Sequence, residues 1–251
     1  MNSPQALGGI RRVKTTMTTA KARTTNPRKR EARIAGLLYL LMGVASVISF
    51  TNVPTLTGGD AAAIANRITS SQLAYRIGVL CDLAAQIVSV FAGLALYQLL
   101  KGINKRHAVL MVALGLVSVP MGFANMLLGI APLVLLSGAD YLAAFDERQL
   151  DALAASFLSL RTYGVGANMA LFGLVLVPFG LLVIRSEFIP RILGVLLIVG
   201  CFPYLAISVT SLLFPAYAGA LSPLMFLAGG EILMILWLLI KGVRTERSGK
   251  N

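Results

Sequence analysis

Apolar runs recur six times along the chain, separated by short polar or charged stretches. They cover Ile34–Val53, Ile77–Leu100, Val109–Leu136, Val165–Ile184, Ile189–Leu213 and Leu224–Ile240. An α-helix of about 20 apolar residues crosses the hydrocarbon of a bilayer. The runs are too long for strands and lack the lipid-facing/lumen-facing alternation of a membrane barrel. A helix satisfies its own backbone hydrogen bonds where no water is present. The pattern therefore predicts an all-α, polytopic transmembrane helix bundle of six spans. The third run is the longest and contains Pro120 and Pro132. Pro132 suits its outer end, and Pro120 predicts a kink near its middle. Pro178 and Pro203 predict the same in the fourth and fifth spans.

Composition agrees with this pattern. Only 13% of residues are charged, against roughly 25% in a soluble domain, which excludes a soluble enzyme or a disordered chain. The formal net charge is nevertheless +12, and its placement sets the expected orientation. Of the 22 basic residues, 18 precede the first span, lie in the second and fourth connections, or follow the last span. The opposite side has Arg67, Arg76, Arg148 and Arg161 beside Asp60, Asp140, Asp146, Glu147 and Asp151. The positive-inside rule places both termini in the cytoplasm, which requires an even number of spans. Span count and charge count agree.

The expected domains are a basic cytoplasmic tail over 1–31, the six-span domain over 32–243 and a second basic tail over 244–251. The first tail is rich in Thr and Arg, holds one acid (Glu31) and has no apolar core. It reads as disordered rather than as a secretory signal. Its composition would also suit an organelle transit peptide, and Met17 offers an alternative start. Both tails favour anionic lipid headgroups as partners within the lipid bilayer. Nucleic acid is not expected as a partner, because residues 1–33 contain no aromatic side chain to stack on bases.

Common catalytic chemistry is missing from the sequence. Cys81 and Cys201 fall in different spans with no ligand spacing, and are expected as small buried side chains. His107, the only histidine, lies in a basic connection. Metal sites built on histidine, Ser-His dyads and zincin motifs all need imidazoles that are absent. No G-x-S-x-G, P-loop or G-x-G-x-x-G occurs. No cofactor and no metal site is expected.

Polar residues inside the spans remain. A charge at the bilayer centre costs at least about 2.5–3.5 kcal/mol, so each requires a reason. Asp82, Gln86, Ser89 and Gly93 form one stripe on the second span, and Gly115, Ser118, Gly122, Asn125 and Gly129 another on the third. Gly194, Cys201, Tyr204, Ser208 and Ser211 share a face of the fifth. Such stripes admit a helix-packing role. Tyr39 and Tyr204 are expected in the core with one hydrogen bond each; Tyr75, Tyr97 and Tyr163 suit the interface belt.

Asp82 and Glu231 admit two readings. They either belong to buried ion pairs that fix helix register or form a binding or proton-handling site. Arg76 and Arg161 are the available counter-ions for Asp82. Counted from the outer ends, Asp82, Asn168 and Glu231 lie about 9–11 Å deep. Counted from the inner basic residues, Asp82 is about 28 Å from Lys101 but Glu231 only about 15 Å from Lys241, which implies a short or tilted sixth helix. The expectation is a polar pocket in the outer half of the bundle, lined by Arg76, Asp82, Gln86, Asn125, Arg161, Asn168 and Glu231.

Two outer connections carry helix signals. Asp60 reads as the N-cap of a short interfacial helix whose Ile64, Ala65 and Ile68 share one side. Asp146 and Gln149 have capping-box spacing, followed by Leu150, Leu153, Ala154 and Phe157 at helical period. That helix either covers the outer mouth or leads into the fourth span.

The segments ARIAGLLYLL (32–41), GDAAAIANRI (59–68), YRIGVLCDL (75–83), LLSGADYLAAF (135–145), IPRILGVLLI (189–198) and GEILMILWLLIKGV (230–243) occur in that order. On these segments the chain resembles the bacterial domain-of-unknown-function family 4386, over roughly residues 32–243. The resemblance implies a multi-pass protein of the bacterial inner membrane and supplies no activity, cofactor or substrate. Three functional readings follow. One is binding or transport of a small molecule or ion through the acidic pocket. The alternative is a non-catalytic partner or sensor subunit. The third is a membrane-embedded enzyme using Asp82 and Glu231 as paired carboxylates. A homo-oligomer is compatible with the small-residue faces.

Overall fold

Backbone groups in hydrocarbon must bond to one another, and the described chain does so almost entirely within helices. The computed structural model describes residues 27–54 and 59–242. In order, the elements are α1 (Pro27–Asn52), α2 (Ala61–Ser70), α3 (Gln72–Leu100), α4 (Lys105–Leu135), a 3₁₀ turn (Asp140–Leu142), α5 (Glu147–Arg185), α6 (Arg191–Leu213), a long 3₁₀ segment (Pro215–Gly229) and α7 (Gly230–Ile240). Among the described residues there is no strand. Six segments are long and apolar enough to span a membrane, as the hydropathy pattern predicts.

The boundaries depart from expectation at three places. Pro27–Glu31, assigned to the tail, form the first turns of α1. Proline at a helix start has its φ preset and no N–H to lose, and Arg, Lys, Glu and Ala propagate from it. The remainder of that tail and the C-terminal tail lie outside the described residues. Of the two readings of the amphipathic stretch after Asp146, the structure has the one that leads into the fourth span: it is the start of α5, which runs 39 residues without a break. At about 1.5 Å per residue it is about 58 Å long and projects beyond the hydrocarbon. The expected capping box starts it, with Gln149 N–H donating to Asp146 at 2.8 Å and Asp146 N–H to the Gln149 side chain at 3.1 Å.

The third departure is the sixth span, whose first half is 3₁₀ and second half α. Pro223 brings no N–H, and Gly219 and Gly229 raise the entropy cost of an α ladder there. A 3₁₀ helix rises about 2 Å per residue, so Pro223–Ile240 reach about 30 Å, a full hydrocarbon thickness. The α-helical part is short, 11 residues, and the 3₁₀ part lengthens the span. The helix ladders of α4, α5 and α6, by contrast, run through Pro120, Pro132, Pro178 and Pro203. The change from 3₁₀ to α geometry falls in the sixth span.

Each span packs on its neighbours in a closed ring: α1 on α3, α3 on α4, α4 on α5, α5 on α6, α6 on the 3₁₀ segment and α7, and α7 back on α1. Because consecutive spans alternate in direction, Arg33, Lys101, Lys105, Arg185, Arg191 and Lys241 gather at one end, called here the basic end. That half is filled by a continuous apolar core including Leu100, Leu182, Leu197, Met234 and Leu238, all fully buried. The opposite half has only a small cluster, Val53, Ile68, Tyr75 and Leu158. There α2, capped by Asp60, lays Ala65 and Ile68 inward and packs against α5, as its periodicity predicts.

Lipid removes the hydrophobic drive between helices, so close backbone approach supplies the contact energy. The tightest crossing is α5 on α6, where a Cβ on Gly180 or on Gly194 would stand 2.6 Å from the other residue's carbonyl oxygen. Gly180→Val should therefore destabilise the bundle by about 1–3 kcal/mol through overpacking. Gly43→Val should be nearly neutral, since nothing lies within 4 Å of its Cβ position. Unfolding of the detergent-solubilised variants measures both, and equal stabilities would show that this crossing is not the tight one.

Candidate functional site

Three helices of the open half supply the polar groups, and each group has a seat built for it. Asp82 and Gln86 lie one turn apart on α3, Asn125 is on α4, and Arg161 and Asn168 are two turns apart on α5. In the ring α4 stands between α3 and α5, so only a long side chain joins the outer two. Arg161 does so, its Nη2 donating to Asp82 Oδ2 at 3.0 Å. Its stem passes over Gly129 of α4, where a Cβ would stand 3.3 Å from Cδ and 3.2 Å from Nε. The Gln86 amide occupies the space above Gly122, and the Asn125 amide that above Gly164 of α5. A Cβ at either glycine would collide with the amide it carries.

These groups surround a cavity of about 30 Å³ whose walls include Asp82, Gln86, Asn125, Arg161 and Asn168. Phe50, Val165 and Phe172 close it on apolar sides. Arg161 is 2% exposed and Asp82 16%. The pair leaves Arg161 Nε and Nη1 without a protein acceptor, and Asn168 Oδ1 without a donor. A buried group left in that state costs about 1–3 kcal/mol. Its walls are polar and its volume has room for a water or two.

Five of the seven residues expected in one pocket are thus brought together. Arg76 is not among them; it is exposed, about 9 Å from Asp82 along α3, and the counter-ion is Arg161 instead. Glu231 is also absent from the walls. It lies where the 3₁₀ segment turns into α7, and its oxygens accept from Tyr39 of α1 and, at 2.7 Å, from Tyr204 of α6. The 3₁₀ rise sets this acid about 14–16 Å from Pro223, further than a count along an ideal α-helix gives. Asp82 and Glu231 therefore sit in separate clusters with separate partners, and the paired-carboxylate arrangement is not formed.

Tyr39 and Tyr204 are core residues with one bond each, as expected. Tyr75, expected at the interface, is instead 2% exposed and donates to the Gly129 carbonyl at 2.7 Å. Its hydroxyl meets α4 beneath the stem of Arg161, so it helps to hold the helix that carries the seat. Tyr163 is exposed, and Tyr97 lies under the Lys101 ammonium. Ser89, Ser118 and Ser211 bond back to carbonyls of their own helices, so they offer the cavity no free donor. Gly93 and Gly115 face open space; the small-residue stripes act at Gly122 and Gly129 but not along their full length. Cys201 is buried and Cys81 half-buried, both free thiols. Among the described residues no group of three His, Cys, Asp or Glu could hold a metal.

A family model described as "Domain of unknown function (DUF4386)" matches residues 34–242. No curated protein and no solved structure matches the chain.

Removing the carboxylate alone leaves a guanidinium buried without a counter-charge. Asp82→Asn should cost about 3–5 kcal/mol, and most of it should return in the double variant Asp82→Leu/Arg161→Leu. Unfolding midpoints of the two variants in micelles decide this. A stable Asp82→Asn protein would mean that the pair does not brace α3 against α5.

Proposed function

The chain belongs to the DUF4386 family, and from that premise and the geometry above we propose that it binds a small polar solute inside the bundle. The Arg161–Asp82 pair is the anchor. One observation carries the reading: a fully buried arginine keeps Nε–H and Nη1–H groups unpaired at the edge of a polar cavity. Buried donors in native proteins almost always have a partner, so an acceptor oxygen belongs there. The pair itself has no net charge, which favours a neutral solute over a lone anion. Asn168 Oδ1 wants a donor from the same solute. The fitting class is a compact neutral molecule with both a carbonyl or hydroxyl oxygen and an N–H or O–H.

The solute enters from the end opposite the basic one, because the basic half is filled by the apolar core. With the basic end in the cytoplasm, the site opens outward across the inner membrane. The basic tails engage anionic headgroups on the cytoplasmic side.

The pairing of both buried acids favours a second reading. Asp82 has its cation, and Glu231 has two phenols. Such pairing also suits a non-catalytic subunit whose charges only fix the assembly.

One experiment separates the two. The protein in nanodiscs is heated with water-miscible amides and alcohols such as formamide, acetamide and methanol. A bound solute at 100 times its Kd adds about 2.7 kcal/mol. At least one probe should raise the unfolding midpoint of the wild type and fail to do so in Asn168→Leu, which keeps the Arg161–Asp82 pair. No shift with any probe, together with a more stable Asn168→Leu protein, would leave the bracing role alone.

A further inference from the structure

Glu231 takes no part in the solute site, yet it is the other acid sunk in the bilayer. It lies ten residues from Lys241 along α7, about 15 Å from the basic end and near mid-membrane. Among the described residues the ion pair is Arg161–Asp82, so no Lys, Arg or His neutralises Glu231. The ionisable groups in contact with it are Tyr39 from α1 and Tyr204 from α6. Cys201, one turn before Tyr204, turns its thiol toward Gly173 of α5. A lone carboxyl in hydrocarbon calls for a cation.

The geometry says which cation. A hard metal ion such as calcium needs six to eight oxygen lone pairs at about 2.3–2.6 Å. Here the carboxyl and the two phenols together offer four oxygens, too few for such an ion. The proton is the cation that fits between oxygen and oxygen. Its uptake needs only that one bond reverse, with the acid O–H donating to a tyrosine oxygen and that phenol turning its own hydrogen away.

The clasp stands between the polar cavity and the apolar core. Tyr204 packs its Cβ 2.9 Å from the Cβ position of Gly173, the residue after Phe172 in the cavity wall. Asn168, also in that wall, is about 7.5 Å further along α5. On the other side the Tyr39 ring meets Phe179 at 6.4 Å between centroids, and the apolar core closes the way to the basic end. We propose that Glu231 is a proton-binding site, clasped by Tyr39 and Tyr204 and exchanging with solvent through the polar cavity.

This inference does not rest on solute binding; an empty result in the solute screen leaves it standing. The test uses the full-length protein in nanodiscs and dicyclohexylcarbodiimide, which reacts with protonated carboxyls in apolar surroundings. Peptide mapping should find the adduct on Glu231 and not on Asp82, with labelling lost as pH rises and unchanged by added sodium or potassium. Infrared spectra over the same pH series should show a carboxylic C=O band that Glu231→Gln removes. Tyr39→Phe and Tyr204→Phe should each move the pH at which band and labelling disappear, a shift that a purely structural clasp would not produce. Protection by sodium at constant pH would overturn the proposal in favour of a metal cation. A pH-independent spectrum, identical in wild type and Glu231→Gln, would overturn it altogether.

Discussion

A guanidinium inside a bilayer must be met by a carboxylate, and in this protein the two lie on helices that are not neighbours in the ring. Arg161 on α5 reaches past α4 to Asp82 on α3. The reach is physically demanding, since an unmet charge there costs at least about 2.5–3.5 kcal/mol. It fixes the rotation of α3 and α5 about their axes and requires α4 to be thin where the side chain passes. Gly129 provides that thinness. Gly122 and Gly164 do the same for Gln86 and Asn125. The glycines serve less to bring backbones together than to let polar side chains lie flat between helices.

The bundle is consequently two different materials along its length. Toward the basic end it is a dry apolar core, with α5 and α6 crossing at Gly180 and Gly194. Toward the other end that core gives way to a polar cavity and a small separate apolar cluster that includes Ile68 of α2. Glu231 stands at the transition, at the joint between 3₁₀ and α geometry. The two acids stand in separate clusters, each held by its own partners.

Much of the site was legible as spacing. Asp82 and Gln86 at four residues, Arg161 and Asn168 at seven, and Asn125 between two glycines mark faces that a helix presents to one side. The caps at Asp60 and Asp146 were equally local, because a capping side chain bonds to backbone two or three residues away. Tyr75 was misplaced because an aromatic near a span end reads as an interface residue. Its bond to Gly129 joins residues 54 apart, and no periodicity reports such a pair. Glu231 was drawn into the wrong cluster for a related reason. Its depth was counted along an ideal α-helix, and the 3₁₀ segment changes the rise per residue.

The sequence by itself determined the six spans, the caps at Asp60 and Asp146, the basic end and the faces that carry polar groups. All of these follow from hydropathy, local hydrogen bonding and helical period, which act within a few turns of chain. Only the tertiary structure decided which face meets which. The order of helices around the ring chose Arg161 over Arg76 as the partner of Asp82 and gave Glu231 to two tyrosines. Those choices depend on contacts between residues 79 and 192 positions apart, where steric fit across helices rather than local propensity selects the partner.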